Sequence, residues 1–255
     1  MSMPDPFDAT HPGHPQGTPW GFWATLGIGL GIAIYWLILQ SLAAVGLLFV
    51  IDSNTFHDEA ALIESLGNSG DVLAASTIAG ACLATPCIVL MMFLRKTYPL
   101  RDYLGIRRFR MAQLFSWMGI LLLVMLAGDG FTKFVMHQPV IPESMVTIYG
   151  NTDNHPLLWL ALIVAAPVFE EVFFRGFLLE GFRHTRLGSV GAVLLTSGIW
   201  TLIHQQYDGH FLFFLFLVGI LLGMAKLRTG SIVFVTLLHA FNNIVATLQV
   251  DFFTP

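Results

Sequence analysis

Long apolar stretches separated by short polar segments make up most of the chain. Seven such stretches follow a polar start, namely Trp20–Ile51, Val72–Leu94, Ala112–Val135, Pro156–Gly181, Val190–Gln205, Phe211–Ala225 and Ser231–Val250. A membrane-spanning helix needs about 20 apolar residues. The pattern therefore predicts an all-α polytopic membrane protein with about seven transmembrane helices, or eight if the long first stretch is split. The fifth and sixth stretches are short, which a helix tolerates beside a cavity or in a thinned bilayer.

The composition excludes a soluble protein. Hydrophobic residues make up 55% of the 255 residues and charged residues only 11%, whereas an ordinary soluble domain has about 25% charged residues. The net charge of -4 comes without a basic patch, so a nucleic-acid partner is not expected. Cys82 and Cys87 lie five residues apart in one apolar stretch. They point about 140° apart on a helix, which disfavours a disulfide or a metal site between them.

The chain divides into three regions by composition. Residues 1–19 contain Pro, His and Gly but no Lys or Arg, so we expect a disordered cytoplasmic tail rather than a signal peptide. His11 and His14 in this tail could bind a metal weakly, but a solvated tail is the favoured interpretation. Residues 20–155 hold the N-terminal transmembrane helices, and residues 156–250 hold the polar residues that carry the candidate chemistry.

The basic residues predict the orientation in the membrane. Ten of the twelve Lys and Arg residues lie in alternate loops: Arg95, Lys96, Arg101, Arg107, Arg108 and Arg110, then Arg183 and Arg186, then Lys226 and Arg228. Loops rich in Lys and Arg face the cytoplasm. We therefore expect a multi-pass protein of the bacterial cytoplasmic (inner) membrane, with its N-terminus inside and its C-terminus outside.

The fourth stretch contains three ionisable residues, although a charge within a bilayer costs at least about 2.5–3.5 kcal/mol. Glu171 and Arg175 lie four residues apart, so they share a helix face and can neutralise each other. Glu170 is turned about 100° away and has no partner at helical spacing in its own stretch. An unpaired buried carboxylate either takes up a proton or faces water, a metal or a substrate.

Two other stretches contribute imidazoles. His204 ends the fifth stretch, and His239 and Asn243 share a face of the seventh. One carboxylate, two imidazoles and an amide, all costly in lipid, suggest a shared polar cavity. Two chemistries fit the set. Glu170 can activate water while imidazole and amide N–H groups stabilise the oxyanion, or Glu170, His204 and His239 can hold a catalytic zinc. Both lead to amide hydrolysis, and the cofactor is zinc or none.

Three motifs in this region resemble the CAAX-protease and bacteriocin-processing (CPBP, or Abi) family of intramembrane proteases. The family pattern of EExxxR, aromatic-xxx-H and HxxxN is found here as Glu170–Arg175, Trp200–His204 and His239–Asn243, in that order, on successive apolar stretches. The similarity covers about Pro156–Val250, and the family includes the type II prenyl-protein endopeptidase. The aromatic residue is usually Phe, and Trp200 departs from that, which affects the pocket wall.

The resemblance implies a role for each motif residue. Glu170 would activate water, with His204 as its partner or as a metal ligand. His239 and Asn243 would form the oxyanion or metal side, and Glu171 and Arg175 would support the site. The family is often called a metalloprotease, but a glutamate–water mechanism uses the same residues.

The signatures of other intramembrane protease classes fit the chain poorly. The chain lacks HExxH, and Asp129 lacks the first Gly of an aspartyl GxGD pattern. Ser197 is more typical of helix packing than of a serine nucleophile, and Gly219 and Gly223 form a GxxxG that predicts close helix packing. Straight antiparallel helices with these boundaries would place Glu170 and His204 at different depths.

The sequence therefore predicts an endopeptidase that cleaves a membrane-associated protein or peptide. The alternatives are a non-proteolytic self-immunity factor or a proton-coupled transporter, because intramembrane Glu and His residues also serve as proton relays. A partner that binds precursors without cutting them is a further alternative.

Overall fold

The computed structural model describes residues 17–51 and 58–253, so His11, His14 and most of the predicted tail lie outside the described residues. Within these ranges the chain is helical and contains no strand, which confirms the all-α prediction. Ten helices are described when the consecutive α- and π-helical turns of residues 155–183 are counted as one: α1 (Phe22–Ile51), α2 (Glu59–Asn68), α3 (Gly70–Leu94), α4 (Leu100–Leu104), α5 (Met111–Phe134), α6 (Glu143–Gly150), α7 (His155–Arg183), α8 (Gly188–Leu202), α9 (Gly209–Thr229) and α10 (Ile232–Phe253).

Six of these described helices, α1, α3, α5, α7, α9 and α10, are long and apolar enough to cross a membrane. The seventh apolar helix, α8, has only 15 residues, as the short fifth stretch predicted. The sixth stretch is longer than predicted, because α9 has 21 residues and includes Lys226 and Arg228 in its last turn. The first stretch forms one helix of 30 residues and is not split. The structure thus supports the predicted polytopic membrane protein.

The hydropathy pattern did not predict the short helices α2, α4 and α6. They have 10, 5 and 8 residues and carry charged residues, so no long apolar stretch marks them. The first of them has a local signal, since the side chain of Asp58 accepts hydrogen bonds from the backbone N–H groups of Ala60 and Ala61. Such N-caps satisfy donors that a helix start leaves unpaired.

The outer faces of the long helices are apolar and exposed. Val50 is 80% exposed and Phe252 is 82% exposed, and large apolar side chains of α1, α5 and α10 are exposed in the same way. A soluble monomer rarely shows apolar surface on this scale. These faces are suited to contact with lipid.

The basic segments 95–110, 183–187 and 226–231 meet at one end of the molecule, which we call the basic end. Tyr98 donates a hydrogen bond to the carboxylate of Glu180, and Arg183 Nη2 lies 2.8 Å from the same oxygen. Lys226 Nζ donates to the carbonyl oxygen of Leu104 at 2.8 Å. Burial and the nearby Glu180 raise the pKa of Tyr98, so its phenol stays protonated and can donate. The convergence of these segments agrees with their predicted location on one side of the membrane; the side itself stays a prediction.

Helix α7 contains two π-helical stretches, Ala161–Ala165 and Glu171–Leu178. In the first, the N–H of Ala166 bonds to the carbonyl of Ala161, five residues back. The next residue, Pro167, has no N–H. The carbonyl of Leu162 therefore lacks a partner within its helix, and the side chain of Asn243 donates to it at 2.7 Å. The missing N–H of Pro167 thus leaves a backbone carbonyl of α7 free to accept a hydrogen bond from α10.

Helices α8 and α9 approach closely at two glycines. A Cβ atom added to Gly219 would lie 3.0 Å from Ser197 Cβ and 3.1 Å from Trp200 Cε3, and one added to Gly223 would lie 3.0 Å from Val193. The GxxxG prediction of close packing is confirmed, and it places the backbone of Gly219 against Trp200.

We predict that Gly219→Val destabilises the protein by about 1–3 kcal/mol, because the added methyl groups would overlap with Ser197 and Trp200. Gly119→Val is the matched control, since a Cβ atom at Gly119 meets nothing within 4 Å. The measurement is thermal unfolding of the full chain in detergent. Equal melting temperatures for the two variants would contradict the close approach.

Candidate active site

The turn at residues 184–187 brings Glu170 of α7 and Trp200 of α8 to the same level. The two helices run antiparallel, and each residue lies about 15–20 Å from that turn at a rise near 1.5 Å per residue. His204 follows Trp200 by about one helical turn. Glu170 and His204 therefore differ in depth along the bundle by about one helical turn. Trp200 lies between them and contacts both side chains.

Glu171 and Arg175 form a buried ion pair. Arg175 Nη1 lies 2.8 Å from Glu171 Oε1, and neither side chain is more than 1% exposed. His239 Nδ1 lies 2.8 Å from the same oxygen, so the imidazole donates its Nδ1–H to the carboxylate. Arg175 Nη2 donates to the carbonyl of Gly219 at 3.2 Å, and its Cζ lies 4.9 Å from the ring centre of Trp200. The structure thus contains the pair that the four-residue spacing predicted and adds His239 to it.

Glu170 points into the cavity and is held by Trp200. The indole Nε1–H of Trp200 donates to Glu170 Oε2 at 2.5 Å. His239 Nε2 lies 3.9 Å from the same oxygen. The Glu170 side chain is 12% exposed while that of Glu171 is 0% exposed. Of the two neighbouring carboxylates, Glu170 is the one accessible to a ligand.

Trp200 is the site residue whose role the sequence analysis missed. The motif places it only in the pocket wall, yet Trp200 is 1% exposed and its ring touches both imidazoles edge-on, with centroids 5.1 Å from His204 and 5.4 Å from His239. The signal lay in the departure from Phe, because Trp adds a donor that is normally paired when buried.

His204 and Asn243 are each oriented by a backbone carbonyl. His204 Nδ1 donates to the carbonyl of Trp200 at 2.8 Å, which leaves Nε2 for other contacts. Asn243 donates one Nδ2–H to Leu162, and its Oδ1 accepts from Asn242 at 3.1 Å. The second Nδ2–H of Asn243 is left over by these bonds.

A cavity of about 550 Å³ lies at the centre of the bundle, and all six long helices contribute to its wall. Glu170, His204, His239 and Asn243 all line it, whereas Glu171 and Arg175 do not. The loop after α8 adds Tyr207. Burial raises the pKa of Tyr207 to about 12, because a phenolate would lose its hydration, so this hydroxyl stays a donor. The structure brings the four predicted catalytic residues to one cavity; their roles stay predictions.

The predicted zinc ligands do not form a ready three-ligand site. No group of three His, Cys, Asp or Glu side chains within residues 17–51 and 58–253 is placed to hold a metal. Glu170 Oε2 accepts from Trp200 and is 3.9 Å from His239 Nε2, and Nδ1 of His204 is bonded to backbone. In this arrangement Glu170, His204 and His239 are not already grouped around one metal position, and the zinc hypothesis stays a prediction.

We predict that Arg175→Met lowers the free energy of unfolding by about 3–5 kcal/mol, since it leaves the buried carboxylate of Glu171 uncompensated. The double variant Glu171→Gln with Arg175→Met should lose less than the single variant, because no unpaired charge remains. Denaturant unfolding of the full chain in mixed micelles measures both. A double variant at least as unstable as the single one would contradict a charge-compensation role.

Comparison with known proteins agrees with the motifs. Residues 152–245 match the family model described as type II CAAX prenyl endopeptidase Rce1-like. A stretch of 128 residues is 29% identical to an Escherichia coli protein described as an uncharacterized 24.3 kDa protein, covering 48% of this chain and 54% of that protein. The chain therefore spans about half the length of this curated relative. No solved structure matches the chain.

The matched segment begins just before α7 and ends within α10, so it contains all three motifs and the Glu170–Trp200 contact. The resemblance drawn from those motifs is thereby confirmed for this part of the chain. Residues 152–245 are thus similar to the Rce1-like family of type II CAAX prenyl endopeptidases.

Proposed function

We propose that the protein is an intramembrane endopeptidase that hydrolyses a peptide bond of a membrane-associated protein or peptide with water activated by Glu170. The family match supports a protease in general. The observation that carries the proposal is the different surroundings of two neighbouring carboxylates. Arg175 and His239 hold Glu171 away from the cavity, while Glu170 lines the cavity. No Lys or Arg of the described chain lies within ion-pair distance of Glu170.

Glu170 acts as the general base. Trp200 donates to Oε2 of Glu170 and so fixes the carboxylate, which leaves Oε1 to accept a proton from water. The water oxygen attacks the substrate carbonyl carbon and forms a tetrahedral intermediate. Glu170 then delivers the proton to the leaving amine nitrogen as the C–N bond breaks. The carboxylate is regenerated, and no other proton donor is required.

His239 and Asn243 stabilise the oxyanion of that intermediate. In its protonated form His239 donates Nδ1–H to Glu171 and presents Nε2–H towards Glu170 and the cavity. Asn243 contributes its second Nδ2–H, since Leu162 takes only the first. His204 presents Nε2 from the cavity wall and positions the substrate or the water. Donors fixed in advance around a developing charge are worth about 10²–10³ each in rate when removed.

We predict that Glu170→Gln abolishes peptide cleavage without loss of the fold, because the amide cannot accept a proton from water. Cells that produce the wild type, Glu170→Gln or Glu143→Gln are compared by mass spectrometry of protein termini. Glu143 is an exposed acid outside the cavity wall and serves as the matched control. Termini present with the wild type and Glu143→Gln should be missing with Glu170→Gln; the same termini in all three strains would refute the proposal.

We predict that Trp200→Phe lowers kcat by about tenfold or more with little change in KM. The variant keeps an aromatic ring but removes the N–H that orients Glu170. The assay uses a peptide that spans a cleavage site found in the previous experiment, with purified protein in liposomes. Trp117→Phe is the control, since Trp117 packs on Phe234 outside the cavity wall. An equal effect of both variants would count against a role for the N–H.

A further inference from the structure

A second carboxylate lines the cavity, and the mechanism above does not use it. Asp129 of α5 is the acid that matched only part of an aspartyl-protease pattern. Gln249 of α10 donates its Nε2–H to Asp129 Oδ2 at 2.7 Å, and both residues belong to the same cavity wall as Glu170. Asp129 is therefore oriented by the fold within the candidate active site.

No cation neutralises Asp129 within the described part of the chain. Lys133 lies one helical turn away in α5, but its ammonium is placed over the ring of Phe134 at 5.9 Å and makes no ion pair with Asp129. A carboxylate can accept about four hydrogen bonds, and Gln249 supplies one. A carboxylate within a membrane-spanning helix is costly and marks a functional site by default.

Asp129 lines the cavity among mainly apolar side chains. Val124, Met125 and Phe214 are among the apolar residues that line the cavity from α5 and α9. None of the Lys and Arg residues that the structure describes lines this cavity. A ligand cation is attracted more strongly to a carboxylate here than in water, because the effective dielectric constant is lower.

The spacing along α10 relates Asp129 to the proposed catalytic centre. His239 and Gln249 lie ten residues apart on this helix, which corresponds to about 15 Å at a rise of 1.5 Å per residue. An extended peptide covers this distance in about four or five residues at roughly 3.3 Å per residue. A bound peptide with its scissile bond at Glu170 can thus reach Asp129.

We propose that Asp129 is a specificity residue that binds a positively charged group of the peptide substrate, either a Lys or Arg side chain or a free terminal amine. This inference rests on the proposed peptidase function. The cationic group forms a charge-assisted hydrogen bond with Asp129, and Gln249 keeps the carboxylate in place for it. Substrates with a cation a few residues from the scissile bond are selected over neutral ones.

The test uses acetylated, fluorescently labelled peptides of alternating Leu and Ala with one Lys moved through successive positions. Norleucine replaces Lys in the neutral reference series, and an unacetylated neutral peptide tests the terminal amine. Binding to the full chain in liposomes is measured in the Glu170→Gln background, and cleavage is measured with Glu170 intact. We expect Lys at one or two adjacent positions, or the free amine, to improve binding and kcat/KM at least about tenfold over the neutral reference.

Asp129→Asn should bring this ratio close to one, Asp129→Glu should retain it in part, and the control Glu143→Gln should leave it unchanged. A cation preference that survives in Asp129→Asn, or no preference at any position, would overturn the proposal. If the Asp129-dependent preference is seen in binding but no peptide is cleaved in a Glu170-dependent way, the proposed peptidase function fails and the cation site stands.

Discussion

The buried ion pair between Glu171 and Arg175 is the interaction on which the rest of the site depends. It anchors π-helical turns of α7, and it binds α10 through His239 and α9 through the carbonyl of Gly219. Because Arg175 makes its ion pair with Glu171, the neighbouring Glu170 is left to bind Trp200 and face the cavity. Breaking a buried pair leaves an isolated charge, so the fold and the site share this constraint.

Trp200 connects the buried ion pair to Glu170. Its ring lies under the guanidinium of Arg175, and its N–H binds Glu170. One side chain thus contacts Arg175 through its π face and Glu170 through a hydrogen bond. The absence of a side chain at Gly219 leaves room for the ring where α8 and α9 approach closely. The position of the Glu170 carboxylate therefore depends on how α8 packs against α9.

The wall of the cavity is mainly apolar and carries a few polar side chains. Glu170, His204 and His239 line the cavity, and the Asp129–Gln249 pair adds a second polar group to its wall. Apolar walls suit a substrate that arrives from the membrane, and isolated polar groups in such walls fix its register. Under the proposed function, recognition and hydrolysis take place in one continuous space.

The sequence by itself determined the helical membrane fold and the Glu171–Arg175 pair, because apolar length and four-residue spacing act locally along the chain. It also indicated which polar residues needed explanation, since charge is scarce in this composition. Only the tertiary structure decided that Trp200 holds Glu170, that His239 binds Glu171, and that Asp129 joins the same cavity. Trp200 and Glu170 are 30 positions apart in the sequence, and His239 and Glu171 are 68 apart. These contacts depend on helix rotation, π-helical turns and close packing at glycine. Apart from the close packing that the GxxxG spacing of Gly219 and Gly223 predicts, no local pattern in the sequence encodes those quantities.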